Sequence, residues 1–367
     1  MTSKERLLAV LNHQLPDRVP ISTYEIVAWD ENGWWNLQPA YRRLMEYIRE
    51  KTDCMYLIGA YLKDAYMEEH MEVEKWEENG DTFIRTTIKT PKGDLTKLDR
   101  KPADINTVWH IEHLVKDESD IERFLSIPND PKEVDISHIK ERERYLGDRG
   151  VMMVDFADPL CIVAELFEFG DFTIKAFVHQ DLFTKLLDKV FELQIYYLKS
   201  MLQKGAGPLF RIVGPEYATA PYLSTEYFHK YVCQYDRQII QLIHDYGQYA
   251  RIHCHGRVRN IMPHIIEMEA DAIDPLEAPP SGDITLSEVK EKYGKDICLM
   301  GNIQLRDLEY CHPEEMRAIV IDCMRAAKEG GNYVLLPTAA PINTQLSPVT
   351  EENYMIMIDT ALEYGQY

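Results

Sequence analysis

The sequence predicts an α/β protein, a single (β/α)₈ barrel spanning residues 1–367 with an antiparallel β-meander inserted near residues 70–98. Three observations support this fold class. Short apolar strands alternate with helical stretches, eight such strands are counted outside the meander, and the chain exceeds the roughly 250 residues that such a barrel needs. The alternative is a doubly wound open sheet, but no Gly-x-Gly-x-x-Gly pattern or P-loop opens a helix, which disfavours nucleotide binding.

The N-terminal part of the chain has β-α-β order after a first helix. Thr2 followed by Glu5 is a capping-box pattern, which predicts that this helix begins directly after Thr2. Residues 19–23 and 54–58 predict two strands, and residues 41–51 predict the helix between them. We expect these to be the first two strands of the barrel.

A different pattern follows, in which strand-like runs are joined by short turns. The runs cover residues 71–76, 82–90 and 95–98. The turns between them, Asn79-Gly80-Asp81 and Pro91-Lys92-Gly93-Asp94, are hairpin signals. Hairpins pair neighbouring strands antiparallel, so these residues predict the inserted meander.

From about residue 150 onward, strand and helix alternate regularly. Six apolar strands are predicted at residues 151–154, 209–213, 249–254, 272–273, 297–300 and 333–336. The clearest helix between them begins at the cap residue Ser224 and ends at Gly247, and the last helix lies near residues 351–364. Together with the two N-terminal strands, these make the eight strands of the barrel.

Composition excludes several classes of protein. Hydrophobic residues make up 45% and charged residues 28% of the chain, values that are typical of a globular protein with a sizeable core. The 40 basic and 61 acidic residues give a net charge of −21, which argues against nucleic acid or an anionic membrane as the main partner. No membrane span or signal peptide is evident, and seven cysteines without a Cys-x-x-Cys pair indicate reduced thiols, so we expect a cytoplasmic protein.

Polar residues follow most of the predicted strands, where the active site of a barrel lies. Acids, imidazoles and amides are the residue types of metal sites and of acid–base sites, although strand ends in any protein carry polar residues. The residues that we expect to converge on one mouth are Tyr24, Glu25, Asp155, Asp158, Glu216, Tyr217, His253, His255, Asp274, Glu277, Asn302, Gln304 and Thr338.

The most specific local signal is His253-Cys254-His255 at the end of a strand. Side chains at positions i and i+2 of a strand point the same way, so the two imidazoles would share one target. A metal such as zinc suits that geometry, with Glu216 or Glu277 as an oxygen ligand. The alternative is that both histidines are hydrogen-bonded and orient one another or a substrate.

Three carboxylates near strand ends have two interpretations each. Glu216 is either a ligand or general base, or a capping carboxylate before the next helix. Asp158 precedes Pro159 and is better explained as a helix cap, whereas Asp155 stays a catalytic candidate. Tyr24 and Trp35, with the adjacent Trp34, form either an aromatic wall for a substrate or part of the core or an interface.

Several stretches resemble the uroporphyrinogen decarboxylase superfamily, which also contains methyltransferases that work with corrinoid proteins. The resemblance implies a single-domain (β/α)₈ barrel and covers most of the chain in the family's order. It rests on residues 4–13 with Pro16-Asp17-Arg18-Val19-Pro20, on His253-Cys254-His255-Gly256, on residues 271–277, on Gly301-Asn302-Ile303 and on residues 330–337.

Two departures from the family pattern narrow the expected activity. True uroporphyrinogen decarboxylases resemble one another in an arginine-rich segment that holds the substrate carboxylates, but residues 21–35 contain no arginine here. The thiol-activating methyltransferases resemble one another in a His-x-Cys pair and a late cysteine that hold zinc. Here the pair ends in His255 and residues 337–341 contain no cysteine, so any metal would be more Lewis acidic and better suited to oxygen than to a thiol.

The resemblance to the methyltransferase branch therefore implies transfer of a methyl group from a small oxygen- or nitrogen-linked donor to the cobalt of a separate corrinoid protein. Zinc on His253, His255 and Glu216 or Glu277 would polarise the departing oxygen. Without metal, Glu216 or a protonated His255 would donate a proton. The residues expected to position the substrate are Tyr24, Trp35, Tyr217, Asn302 and Gln304.

Two other functions remain open from the sequence. A decarboxylase of a smaller acid would use His253 and Asp155 to handle protons. A non-catalytic subunit would only bind a small molecule or a corrinoid at the same strand ends. Apolar and aromatic residues such as Trp34 and Trp35 would also allow a homodimer.

Overall fold

The computed structural model describes residues 1–367, which form eleven strands and fifteen α-helices. The strands are β1 (Cys54–Gly59), β2 (Met71–Glu78), β3 (Asp81–Thr90), β4 (Gly93–Lys101), β5 (Trp109–Glu112), β6 (Gly150–Ala157), β7 (Leu209–Val213), β8 (Tyr249–Cys254), β9 (Ala272–Pro275), β10 (Cys298–Ile303) and β11 (Tyr333–Pro337). The α/β class and the alternation of strands and helices predicted from the sequence are confirmed.

Most of the helices connect the strands of the larger sheet and cover its outer face. They are α1 (Ser3–Leu11), α2 (Arg42–Lys51), α3 (Ala65–His70), α4 (Glu118–Ser126), α5 (Ser137–Leu146), α6 (Pro159–Glu165), α7 (Phe169–Val178), α8 (Gln180–Gln203), α9 (Thr225–Phe228), α10 (Gln234–Asp245), α11 (Met262–Glu267), α12 (Leu286–Tyr293), α13 (Leu305–Tyr310), α14 (Pro313–Ala327) and α15 (Pro348–Tyr364). None of them combines the length and apolar composition that a membrane span needs.

Seven strands form a curled parallel sheet in the order β1-β6-β7-β8-β9-β10-β11. Its strands are nearly continuous apolar runs because both faces of the sheet are buried. Helices cover the outer face, and side chains from the strands pack against one another on the inner face. Every residue of β10 and β11 is buried. Since all seven strands are parallel, their carboxyl ends lie at one edge of the sheet, where the polar residues after each strand gather.

The first predicted strand, residues 19–23, is reduced to a single bridge between Ile21 and Leu335. The N–H of Ser22 donates to Leu335 O (2.9 Å), and on the other side the N–H of Asp53 donates to Ile21 O (2.7 Å). A ladder does not extend further because Pro20 has no N–H and the N–H of Ile21 donates to the side chain of Asp53 (2.9 Å). The parallel sheet therefore has seven strands, one fewer than the eight predicted, and residues 19–23 contribute only this bridge.

The inserted meander is present and is one strand larger than predicted. Strands β2, β3, β4 and β5 form an antiparallel sheet in sequence order, with positive φ at Asn79 and Gly80 in the first turn. One face packs on the protein through Ile88 and Leu95, while all residues of β2 are exposed. β5 was not predicted from the sequence because it has only four residues and all of them are exposed. Such a strand shows no alternation of buried and exposed positions.

The helix ends predicted from local sequence signals agree with the structure in most cases. Thr2 and Glu5 form the predicted capping box at α1. The helix predicted from Ser224 to Gly247 is interrupted by a π-helical segment at His229–Cys233, so it consists of α9 and α10. Ser224 stands at the cap position but its hydroxyl makes no capping hydrogen bond.

Candidate active site

Two of the cavities at the carboxyl edge of the parallel sheet are lined by site residues predicted from the sequence. The first cavity has a volume of about 540 Å³ and lies beyond β7, β8 and β9. It is lined by Phe169, Glu216, Tyr217, Thr219, Ala220, Pro221, Tyr222, His255, Gly256, Arg257, Glu277, Pro280 and Ser281. The second cavity has a volume of about 320 Å³ and is lined by Glu25, Val27, Asp30, Gly33, Trp35, Leu57, Asp155 and Arg211.

His253 at the end of β8 is held by hydrogen bonds at both ring nitrogens. Its Nδ1 lies 2.7 Å from Oδ2 of Asp274, and its Nε2 lies 3.2 Å from the hydroxyl of Tyr24. A carboxylate only accepts, so Nδ1–H donates to Asp274 and Nε2 accepts from the tyrosine O–H. The imidazole is 5% exposed, which makes His253 a buried, oriented group rather than one that faces either cavity.

Asp274 holds this arrangement in place from the neighbouring strand, where it pairs in register with His253. It also forms a salt bridge with Arg251, which is fully buried beneath the mouth. Burial alone would raise the pKa of Asp274, but the charges and hydrogen bonds of Arg251 and His253 lower it well below its ordinary value. The carboxylate therefore stays ionised and fixes the tautomer of His253.

Tyr24 reaches this group from the N-terminal segment. Its backbone has φ 58°, a left-handed conformation that non-glycine residues seldom adopt outside turns and functional sites. Burial, assisted by the charges of Glu25 and Asp274, raises the pKa of its hydroxyl well above the ordinary value. Tyr24 is therefore a permanent hydrogen-bond donor to His253.

His255 faces the first cavity and is the more accessible of the two histidines. Its Nδ1 lies 3.5 Å from Oε1 of Glu277, and its ring meets that of His253 edge to face at 4.7 Å. Burial lowers the pKa of His255, but the hydrogen bond and charge of Glu277 and the charge of Glu216 outweigh it, so the pKa is raised overall. The hydrogen bond from His255 in turn lowers the pKa of Glu277, which also accepts the N–H of Gly256 (2.7 Å).

Glu216 and Tyr217 enter the first cavity on a 3₁₀ helix, Pro215–Ala218, directly after β7. Gly214 makes the turn with φ 127°, and its N–H donates to Oε2 of Glu216 (3.2 Å). This bond ties the Glu216 carboxylate to the turn, but the N-cap residue is Gly214 and no side chain caps the helix, so the capping role considered from the sequence is wrong. Its position on the cavity wall keeps Glu216 a candidate acid. Tyr217 forms an aromatic wall together with Phe169, whose ring also contacts Tyr222 at 4.7 Å.

Asp155 and Trp35 belong to the second cavity. Asp155 accepts from Nε of Arg211 (2.7 Å), and Glu25 accepts from Nη1 of the same guanidinium (2.8 Å). Trp35 donates its indole N–H to Pro341 O (2.8 Å). Asp155 thus lines the second cavity, whereas His253, which a decarboxylase mechanism was expected to use with it, lines neither of the two cavities.

Asn302 and Gln304 lie outside both cavities. The Asn302 amide donates to Leu276 O (2.9 Å), and its oxygen faces the thiol of Cys323 (3.5 Å). Gln304 begins α13, where its side chain reaches only the carbonyl of Asn302. Asp158 caps α6 by accepting the N–H of Cys161 (2.5 Å), which confirms the structural role inferred from the sequence.

The predicted metal ligands do not form one ligand set. No group of three or more histidine, cysteine, aspartate or glutamate side chains is arranged to hold a metal ion. Both nitrogens of His253 have protein partners, and His255 and Glu277 are paired with each other. The residues as placed thus suit the hydrogen-bonded alternative better than a zinc site.

Arg211 and Arg251 are functional-site residues that the sequence reasoning missed. Both stand in the middle of apolar strands, β7 and β8, and both are buried. An arginine within an apolar strand must find carboxylates inside the protein, because a buried unpaired charge is very costly. That signal was present in the sequence, but the partners come from the structure: Asp155 and Glu25 for Arg211, and Asp274 for Arg251.

The chain resembles known proteins in sequence and in fold. A family model described as "Uroporphyrinogen decarboxylase (URO-D)" matches residues 110–364. Among solved structures, a "methyltransferase from Methanosarcina mazei" is 17% identical, with a TM-score of 0.62 and 99% of both chains covered. A muconate cycloisomerase variant reaches a TM-score of 0.27 at 10% identity, covering 80% of this chain and 76% of its own. No curated protein matches the sequence.

Proposed function

The chain belongs to the uroporphyrinogen decarboxylase family, and from that premise we propose that it transfers a methyl group from a small O- or N-methylated donor to a corrinoid carried by a separate protein. The lack of arginine in residues 21–35 argues against a porphyrinogen substrate. The similarity to the archaeal methyltransferase supports a common fold over the full length of both chains. With the Ile21 segment as its eighth strand, the fold of this proposal is the closed (β/α)₈ barrel.

The observation that carries the proposal is the His255–Glu277 pair in the first cavity. A methyl ether reacts poorly because its oxygen departs with the electron pair of the broken C–O bond. A protonated His255 supplies the proton that neutralises this oxygen. Since Nδ1 is held by Glu277, Nε2 is the atom that donates. A methylated ammonium leaves as a neutral amine, so this acid is required for oxygen-linked donors in particular.

The remaining residues of the first cavity orient the donor. Tyr217, with Phe169 and Tyr222, provides an apolar wall against which the leaving group packs. The charge of Glu216 adds to the effect of Glu277 in raising the pKa of His255, which favours the protonated imidazole. Behind them, Tyr24 and Asp274 hold His253 against the His255 ring, which restricts the rotation of His255. The corrinoid, when present, supplies the nucleophile that accepts the methyl group.

Zinc on His253, His255 and Glu216 or Glu277 stays a prediction from the sequence. Because these residues are not arranged as a ligand set, no step above depends on a metal. Metal analysis of the protein, purified without a chelator or a histidine tag, tests the prediction. About one zinc per chain, lost in both His253→Ala and His255→Ala, would establish the site, whereas no uptake from added zinc would exclude it.

Methyl transfer itself is tested with a panel of methyl ethers and methylated amines, a corrinoid protein, and the absorbance change that accompanies methylation of cobalt. We expect transfer from an ether by the wild-type protein and a loss of about a hundredfold or more in His255→Ala, the usual size of a general-acid contribution. The matched control is His229→Ala, because His229 is exposed and lies outside both cavities.

Three results would contradict the proposal. Full activity in His255→Ala would remove the assigned acid. Release of carbon dioxide from a small acid without any corrinoid would show a decarboxylase. Tight binding of a donor without turnover across the whole panel would show a binding protein.

A further inference from the structure

The second cavity is a polar recess that the proposed methyl transfer does not use. Its centre is Arg211, which is 6% exposed and lines the cavity. Nε and Nη1 of the guanidinium are occupied by Asp155 and Glu25, but Nη2 makes no hydrogen bond to the protein. A nearly buried guanidinium with a free N–H group is a ready donor to a ligand carboxylate.

Each of the two carboxylates beside Arg211 also has one oxygen without a hydrogen-bond partner. Asp155 and Glu25 each give one oxygen to the guanidinium, and the second oxygen of each makes no hydrogen bond. Their side chains are 35% and 33% exposed. Asp30 adds a third carboxylate to the lining, so the recess has a negative net charge despite the arginine. These free oxygens attract a cation.

The wall of the second cavity includes an aromatic ring held in a fixed position. The indole N–H of Trp35 donates to Pro341 O, which fixes the ring where it lines the cavity. An aromatic ring next to carboxylates is a common environment for an organic ammonium group. At about 320 Å³ the cavity is much larger than the roughly 30 Å³ that one water molecule occupies.

We propose that the second cavity binds a small zwitterion, a molecule that carries an ammonium group and a carboxylate close together. The ammonium group lies against Trp35 and the free oxygens of Glu25 and Asp155, and the carboxylate accepts from Nη2 of Arg211. A simple cation would leave Nη2 without a partner, and a simple anion would face the three carboxylates of the lining. Only a ligand with both charges satisfies every free group of the recess.

Binding to the full-length protein is measured by calorimetry and by quenching of tryptophan fluorescence, with glycine betaine as the zwitterionic probe. Tetramethylammonium and acetate are the probes that carry one charge each. We expect glycine betaine to bind at least about tenfold more tightly than either, which is the effect of one added charge-assisted hydrogen bond. Glu25→Gln and Asp155→Asn should each weaken this binding about tenfold.

The matched control is Glu31→Gln, because Glu31 is an exposed acid of the same segment outside the cavity and should leave binding unchanged. Arg211→Lys keeps the charge but loses the planar fork, so glycine betaine should then bind no better than tetramethylammonium. If Arg211→Lys does not fold, the variants at the half-exposed Glu25 and Asp155 decide the question.

The proposal makes an independent claim about the first cavity, which is that His255→Ala leaves the binding of glycine betaine intact. Loss of binding in that variant would move the ligand to the first cavity and overturn the proposal. Equal affinity for tetramethylammonium and glycine betaine would also overturn it, as would the absence of saturable binding by any probe. None of these measurements depends on methyl transfer, so failure of the proposed activity does not affect them.

Discussion

The hydroxyl of Tyr24 lies 3.2 Å from Nε2 of His253, although 229 positions separate the two residues in the chain. The contact joins the N-terminal segment to the end of β8 in the middle of the sheet. It lies between the two cavities, since Glu25 lines the second cavity and the ring of His255, in the first, touches His253. The orientation of His253 thus depends on a residue from the N-terminal segment, which pairs with β11 through Ile21 and Leu335.

Replacing Tyr24 with Phe removes the only donor to Nε2 of His253. We expect a loss of about 1 to 2 kcal/mol in the free energy of unfolding, because a buried acceptor is left without its partner. Methyl transfer should fall as well, since the His253 ring that supports His255 gains rotational freedom. Urea denaturation and the transfer assay measure the two effects. Tyr196→Phe, at an exposed tyrosine on α8, is the control that should change neither.

The pH dependence of methyl transfer should follow the ionisation of His255. Transfer from an ether requires the protonated imidazole, so the rate is highest at low pH and declines as pH rises through the raised pKa of this residue. Glu277→Gln removes the charge that does most to raise this pKa, and the decline should then occur at lower pH. Initial rates across the pH range provide the measurement.

The control for this profile is Glu291→Gln, which removes an exposed charge from α12 far from the cavity lining. It should leave the midpoint of the decline in place. An unchanged midpoint in Glu277→Gln would mean that His255 does not control the rate.

Asp236 on α10 should make the protein less stable at high pH. Its carboxyl is fully buried with no hydrogen-bond partner, and burial raises its pKa well above the ordinary value. The folded state therefore keeps a proton that the unfolded chain releases once pH exceeds the ordinary pKa of aspartate. Between that pH and the raised pKa of the folded state, unfolding free energy falls by up to about 1.4 kcal/mol per pH unit.

Asp236→Asn removes this ionisation and should flatten the decline in stability with pH. Chemical denaturation at several pH values measures the slope, and Asp245→Asn on the exposed side of α10 is the control. A slope identical to that of the wild type would show that Asp236 is already satisfied in the folded protein.

Gly214→Ala should strongly destabilise the turn that carries Glu216. Gly214 has φ 127°, and an added Cβ would lie 2.2 Å from Oδ1 of Asp158 and 2.5 Å from Cβ of Cys161. Backbone strain alone costs about 1 to 2 kcal/mol, and the collision adds to it. Gly330→Ala is the matched control, since Gly330 has φ 78° and open space around it. A similar loss in both variants, measured by urea denaturation, would show that the collision is relieved at no cost.

Regular strands were predictable because burial produces unbroken apolar runs. The bounds predicted for β7 and β8 agree with the structure. The spacing of His253 and His255 predicted that the two imidazoles would share one target, but His253 pairs with Asp274 and His255 with Glu277. Their partners were not predictable from spacing, because Asp274 and Glu277 come from the next strand and its loop. Whether two imidazoles meet a metal or separate carboxylates depends on distances of a few ångströms that no periodicity encodes.

The pairing of side chains in the second cavity could not be predicted from the sequence. Asp155 was recognised by its place after a strand, but its pairing with Arg211 depends on the register between β6 and β7, where the two residues are direct partners. Asn302 shows the opposite failure. A polar residue at a strand end was expected to face the substrate, yet its amide serves the backbone of Leu276 inside the protein.

The segment around Ile21 is attached to the parallel sheet by an isolated bridge and not by a full ladder of hydrogen bonds. Few backbone hydrogen bonds hold it to Leu335 and Asp53, whereas neighbouring strands elsewhere share ladders such as the one between β1 and β6. The amide protons of Ser22 and Asp53 should therefore exchange with deuterium faster than those of β10 and β11. Tyr24 lies three positions after Ile21, so we expect local opening of this segment to withdraw the tyrosine hydroxyl from His253 and to free that imidazole.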